Sequence, residues 1–152
     1  MSIRNTIFQF ILRRQPKRQV VLRTWESVHT VAVLYDCGDK ETIMKQLTAQ
    51  NKHIDFFGVP NKQDVCWLSQ RPSKQLLEQL RDYHYELLID LTQQPTLTTQ
   101  YMAMYIRADF KAGGDRCEGI LDLTISTPPQ ETPYYLLEQI LRYIQMFTQK
   151  QK

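Results

Sequence analysis

The chain has 152 residues, 42% of them apolar, which suits one domain with a single hydrophobic core. Its three cysteines, Cys37, Cys66 and Cys117, lie far apart and form no CxxC or Cys/His pattern, so we expect a reduced, intracellular chain without structural zinc. The longest early apolar stretch, residues 7–12, is too short for a signal peptide or a transmembrane segment, and we therefore expect a cytoplasmic protein.

The net charge of +3 is unevenly distributed along the chain. Residues 1–27 carry six basic side chains and one acidic side chain, a net charge of +5, so the remaining residues sum to −2. We therefore divide the chain into a basic N-terminal helix and arm, residues 1–27, and a single domain, residues 28–152. Attraction to an anionic surface is expected from the arm rather than the domain. The cations expected to make that contact are Arg13, Arg14, Lys17 and Arg18.

Residues 3–14 have the pattern of a short helix, with Ile3, Ile7, Phe10 and Ile11 on one side and cations at its C-terminal end. Two interpretations fit this pattern. In the first, the apolar stripe packs on the domain or on a second subunit. In the second, the helix is a basic amphipathic segment that contacts a membrane or a nucleic acid.

Strand and helix patterns alternate through the rest of the chain. Residues 87–91 form an almost continuous apolar run, which is typical of a central parallel strand covered on both faces. Residues 97–106 predict a helix that is apolar nearly all round and therefore deeply packed. Helix caps are expected at Asp39, Ser73, Thr96 or Thr98, and Thr132. The predicted strands are residues 28–35, 54–59, 87–91, 110–114 and 120–126, and the later helices are residues 40–50, 74–84, 97–106 and 133–149.

This order, β, α, β, α, β, α, β, β, α, argues for an α/β fold of three layers. We expect a mainly parallel five-stranded sheet, Rossmann-like or flavodoxin-like, with helices on both faces and the basic N-terminal helix before it. Residues 65–68 fit either a short edge strand or an apolar loop.

Ligands of such open sheets bind outside the carboxyl ends of the strands. The candidate ligand-binding residues at these ends are Asp36, Asp39, Asp90, Thr92, Lys111 and Arg116. Each also has a structural interpretation: a turn aspartate, a helix cap, a carboxylate that receives backbone amides, or a flexible turn at residues 113–116. YDCGDK stands where a dinucleotide site would have GxGxxG, and no P-loop is present. We therefore assign no cofactor, no metal and no catalytic residue.

The segments VHTVAVLYD, FFGVPNK, YELLIDL and DFKAGG resemble an uncharacterised family of short cytoplasmic bacterial proteins, of Bacteroidetes type, over most of the chain. That resemblance implies the fold and no established activity. A more distant resemblance, over residues 28–114, is to the N-terminal Rossmann-like half of heptosyltransferase-like glycosyltransferases. It implies a sugar- or nucleotide-binding remnant, because such enzymes hold their nucleotide-sugar donor with a second Rossmann-like domain that this sequence does not contain.

Three functions follow as hypotheses. The first, which the missing catalytic motifs favour, is a non-catalytic module that binds a partner protein, a second copy of itself or a small ligand. The second is an enzyme that uses Asp36, Asp90 and Lys111 at the strand ends. The third is peripheral attachment to a membrane or a nucleic acid through residues 1–18.

Overall fold

A computed structural model describes residues 2–47, 51–116, 119–128 and 132–149. The helices in these ranges are α1 (Ile3–Arg13), α2 (Lys40–Leu47), α3 (Lys74–Arg81), α4 (Leu97–Tyr105) and α5 (Pro133–Gln149). The strands are β1 (Thr30–Leu34), β2 (His53–Phe57), β3 (His84–Asp90), β4 (Arg107–Gly113) and β5 (Leu123–Thr124). Residues 48–50, at the end of the second predicted helix, and Cys117 lie outside the described residues.

The strands form one parallel sheet in the order β2-β1-β3-β4-β5. The predicted α/β class and the five-stranded parallel sheet are therefore confirmed. Of the two expected layouts, this order is the flavodoxin-like one. The strand order reverses between β1 and β3, and ligands of such sheets bind beside the carboxyl ends of those two strands.

Two apolar cores cover the two faces of the sheet, as predicted for a three-layer fold. On one face, α2 and α5 pack through residues such as Ile43 and Leu137. On the other face, α1, α3 and α4 pack through residues such as Phe8 and Leu80. Strand β3 lies between the cores and alternates between them, with Ile89 in the first and Leu88 in the second. This explains its continuous apolar sequence.

The predicted helix caps are present and fix where the helices begin. Ser73 Oγ accepts the Leu76 N–H at 3.2 Å at the start of α3. Thr96 and Thr99 form a reciprocal capping box at the start of α4, whose residues are nearly all buried, as expected. Among the described helices, none is long and apolar enough to cross a bilayer.

Two segments need comment. Residues 120–126 form a shorter strand than predicted, and residues 65–68 adopt one of the two predicted forms. The predicted strand 120–126 contributes only the two residues of β5, because the side chain of Asp122 accepts the Lys111 N–H at 2.8 Å in place of a backbone carbonyl. Residues 65–68 form a loop, in which a single antiparallel bridge joins Val65 to Pro72.

Candidate functional site

Asp36 and Asp90 lie close together at the point where the strand order reverses. Leu34 of β1 pairs with Asp90 of β3 in the sheet. Asp36, which follows β1, accepts the Gln93 N–H at Oδ1 and the Gln94 N–H at Oδ2, both at 2.9 Å. The Asp36 carboxylate therefore holds the loop after β3 against the end of β1. Both of its oxygens bind the protein's own backbone.

Asp90 is fully buried and forms an ion pair with Arg116, whose side chain is 3% exposed. Arg116 Nε lies 3.0 Å from Asp90 Oδ2, and a second guanidinium nitrogen lies 3.3 Å from Oδ1. Thr92 donates its N–H and its hydroxyl to Asp90 Oδ1 at 3.0 and 2.7 Å. Gly113 is required beside this network, because a Cβ there would lie 2.7 Å from the Asp90 carbonyl oxygen. The two buried charges thus neutralise each other.

Asp39 and Lys111 act at helix ends instead. Asp39 Oδ2 accepts the Thr42 hydroxyl at 2.9 Å, and that hydrogen bond holds the pKa of Asp39 below its ordinary value. Lys111 is buried, and its Nζ donates to the carbonyls of Ala103 at 2.7 Å and Met104 at 3.0 Å. These carbonyls belong to the last turn of α4, where a cation is favourable. Burial lowers the pKa of Lys111 to about 7.

The structure therefore gathers four of the six predicted ligand-binding residues and separates two. The four at the reversal point are Asp36, Asp90, Thr92 and Arg116. Lys111 Nζ does not join them, because it is bound to α4. Surface depressions of about 410 and 250 Å³ lie along α5, and neither is lined by any of the six. Within the described ranges, no three His, Cys, Asp or Glu side chains are grouped to hold a metal ion.

Helix α1 packs on the domain through Ile11, which belongs to the predicted stripe, and through Phe8 and Leu12, which the sequence pattern did not indicate. Phe8 is 2% exposed, and its ring meets the ring of Tyr101 edge to face, with 4.7 Å between centroids. Ile11 and Leu12 pack against the same core. Because these residues are three and four positions after Phe8, they share one face of the helix.

The predicted stripe is only partly on the packed side of α1. Of its four residues, Ile11 packs on the domain, whereas Ile3, Ile7 and Phe10 lie on an outer face. Ile3 is 79% exposed and Phe10 is 56% exposed, so the expectation that the whole stripe packs on the domain is wrong, and packing on a second subunit stays a prediction. The spacing of three and four residues continues to Arg14, whose guanidinium carbon lies 4.4 Å from the centre of the Phe10 ring. The physical reason is that Phe8 occupies the place against Tyr101, which turns the outer face toward solvent.

The loop of residues 65–72 adds two exposed apolar side chains next to the first turn of α1. Trp67 is 73% exposed and Leu68 is 61% exposed. Arg4 of α1 donates to the Leu68 carbonyl at 2.8 Å and to the Trp67 carbonyl at 3.1 Å. The backbone of this loop is thus bound to α1 while its apolar side chains face solvent. We name the following set the exposed apolar patch: Ile3, Ile7, Phe10, Trp67 and Leu68.

The six cations of the N-terminal segment fall into three groups. Arg18 pairs with Asp122, and Arg23 pairs with Asp109 and Glu86, which fastens the arm along β4. Arg4 binds the two loop carbonyls. The remaining three are exposed and form no ion pair with any described residue. We name these three the free cations: Arg13, Arg14 and Lys17.

A comparison with protein families matches residues 2–147 to one described as "Family of unknown function (DUF6913)". The chain belongs to the DUF6913 family. No curated protein and no solved structure matches it. The resemblance to heptosyltransferase-like enzymes and the Bacteroidetes origin therefore stay predictions, while membership of a family of unknown function agrees with the first resemblance.

In this member of the DUF6913 family, sequence reasoning missed the residues that orient α1. The sequence pattern does not indicate Phe8 and Leu12, because a second apolar series on the same helix fits a helical period equally well. Trp67 and Leu68 carried a usable signal, since large apolar residues in a loop bounded by Pro60 and Pro72 have no strand or helix to bury them. Arg4 carried none, because its partners are more than 60 residues away.

Proposed function

We propose that this protein is a non-catalytic docking module that binds its partner through the exposed apolar patch and the free cations. One observation carries the proposal. Helix α1 has two apolar faces, and among the described residues the face with Phe8 is the one that packs on the domain. The other face carries Ile3, Ile7 and Phe10, which are 79%, 38% and 56% exposed.

The way α1 is held supports a role for its outer face. Phe8 lies in the core beneath α4, and Arg4 binds two carbonyls of the 65–72 loop. These contacts keep the outer face in place without using any of its side chains. Several large apolar side chains exposed together mark an interaction site more often than single exposed residues do.

The polar residues at the strand ends, in contrast to the outer face of α1, have contacts that favour a structural role. The Asp36 carboxylate binds two backbone amides, and Asp90 and Arg116 bind each other. A general acid, a general base or a ligand-binding group must reach the reacting molecule. Side chains that already bind the protein in this way favour a rigid sheet end.

Site-specific photocrosslinking tests the proposal. The full chain is expressed in cells of the organism whose genome encodes it, with the photoreactive residue p-benzoylphenylalanine at position 10 or position 67. A matched control carries the same photoreactive residue in place of Met146. Met146 is 40% exposed on α5, on the opposite face of the sheet. We expect adducts with protein or lipid at positions 10 and 67 and none at 146. Absence of adducts at 10 and 67, or equal adducts at 146, would refute the docking role.

A further inference from the structure

We infer that the partner of the exposed apolar patch is an anionic lipid bilayer. This inference rests on the proposed function and names the partner of the same surface. The inference follows from three properties that occur together. The exposed apolar patch has aliphatic side chains that need an apolar medium, it includes the tryptophan of the 65–72 loop, and the free cations lie at the C-terminal end of α1.

The apolar component suits the shallow interior of a bilayer. Ile3 and Ile7 have no polar atoms to offer a polar partner, and both are exposed on an ordered helix. Trp67 has an apolar ring with one N–H donor, and tryptophan is enriched at the boundary between lipid headgroups and acyl chains. Helix α1 has 11 residues and lies on the domain, so its outer face can rest along a surface rather than cross it.

The charge component selects an anionic surface. Arg13, Arg14 and Lys17 lie at and just beyond the C-terminal end of α1, and the first acidic residue of the chain is Glu26. Each cation near an anionic bilayer favours binding roughly 5-fold. Arg14 stacks on Phe10, so charge and apolar contact occur on the same stripe.

The same charges disfavour the other occupants of an apolar face. A symmetric dimer formed through this patch would use the same surface twice, and neither α1 nor residues 65–72 contain an acidic residue that could pair with the free cations of the other copy. A nucleic acid would satisfy the charges, but it offers stacked bases and phosphates to Ile3, Ile7 and Leu68, whose aliphatic side chains neither stack nor donate hydrogen bonds.

The test uses the full chain with vesicles of phosphatidylcholine, and with vesicles that also contain about 30% phosphatidylglycerol, in 50 and 500 mM NaCl. Binding is measured by co-sedimentation and by tryptophan emission. The chain has two tryptophans, of which Trp25 is buried and Trp67 is exposed, so a blue shift reports Trp67. Trp67→Phe, which should bind without the shift, is the check on that assignment.

We expect binding to the anionic vesicles at low salt, weakened by high salt and absent for the neutral vesicles. Phe10→Gln should weaken binding about tenfold, and Arg13→Gln with Arg14→Gln roughly 5-fold for each charge. The matched controls lie on the opposite face of the sheet, and both should bind normally: Met146→Gln for the apolar change, and Lys40→Gln with Lys45→Gln for the charge change.

Failure to bind anionic vesicles overturns the inference, as does equal binding to neutral ones or equal effects of the control variants. A dimer that Phe10→Gln converts to a monomer, or copurified nucleic acid released by Arg13→Gln with Arg14→Gln, overturns it in favour of another occupant. Protein adducts at positions 10 and 67 without vesicle binding would refute the inference that the partner is a bilayer, but would leave the proposed docking role intact. No adducts and no vesicle binding overturn both.

Discussion

Replacing the buried Lys111 by methionine should change how the free energy of unfolding depends on pH. The Lys111 side chain is buried against α4, and its pKa falls to about 7 from an ordinary value of 10.5. Burial is the main cause, because an ammonium removed from water loses its hydration. Methionine keeps a similar length and fills the same space without the charge.

The sign follows from proton binding. Between pH 7 and 10.5 the unfolded chain holds a proton on Lys111 that the folded chain has released. The free energy of unfolding of the native protein therefore rises with pH across that window, by at most about 1.4 kcal/mol per pH unit. Between pH 7 and pH 9 the free energy of unfolding rises by about 2 kcal/mol. Below pH 6 the contribution of Lys111 to the pH dependence is small, because both the folded and the unfolded chain hold the proton.

Urea unfolding at pH 6, 7, 8 and 9 measures this effect. The quantity of interest is the difference in unfolding free energy between the native chain and Lys111→Met, because other titrating groups cancel in it. We expect that difference to shift by about 2 kcal/mol in favour of the native chain from pH 7 to pH 9. Lys74→Met, at an exposed position of α3, is the control and should show no such shift. Parallel pH profiles for the native chain and Lys111→Met would refute the reasoning.

Two further predictions concern the N-terminal segment. Phe8→Ala should destabilise the protein by about 3–5 kcal/mol in urea unfolding, because it empties a buried site, whereas Phe10→Ala should cost less than about 0.5 kcal/mol; equal costs would contradict the assignment of the two faces of α1. Burial would raise the pKa of Asp109, but hydrogen bonds from His84 and Arg23 hold it below the ordinary 3.8. Its stabilisation is present above pH 3.8 and is lost as the pH falls through the lower folded pKa, so Asp109→Asn should lose less stability than the native chain on acidification to pH 3, as followed by circular dichroism.

The sequence was sufficient for the fold wherever the deciding signal was local. Ser73 and Thr96 cap helices within three residues of themselves, and residues 87–91 are apolar because one strand serves two cores. The predicted length of β5 was wrong for a reason that is not local. Asp122 directs its carboxylate to the backbone of β4, and nothing in residues 120–126 alone shows that partner.

The candidate site was predictable in part. The rule for parallel sheets predicted Asp36 and Asp90 at strand ends, and the structure shows that these two ends are neighbours. Whether such carboxylates face a ligand or the protein depends on partners such as Gln93, 57 residues from Asp36 along the chain, and on Arg116. The exposed apolar patch was less accessible still, because its orientation depends on which of two apolar series on α1 meets Tyr101.

The buried pair of Asp90 and Arg116 calls for an explanation other than stability. Removing one partner of such a pair costs several kcal/mol, but replacing both by apolar residues is often neutral, so a buried ion pair contributes little net free energy. The geometry of the pair explains its presence better than a contribution to stability does. Arg116 binds both Asp90 and the Thr92 carbonyl, and therefore joins the loop after β4 to the loop after β3. Asp36 joins the loop after β3 to the end of β1. Charged groups thus connect three strand ends at the place where ligands of flavodoxin-like sheets bind, which agrees with the proposal that this protein binds its partner through α1.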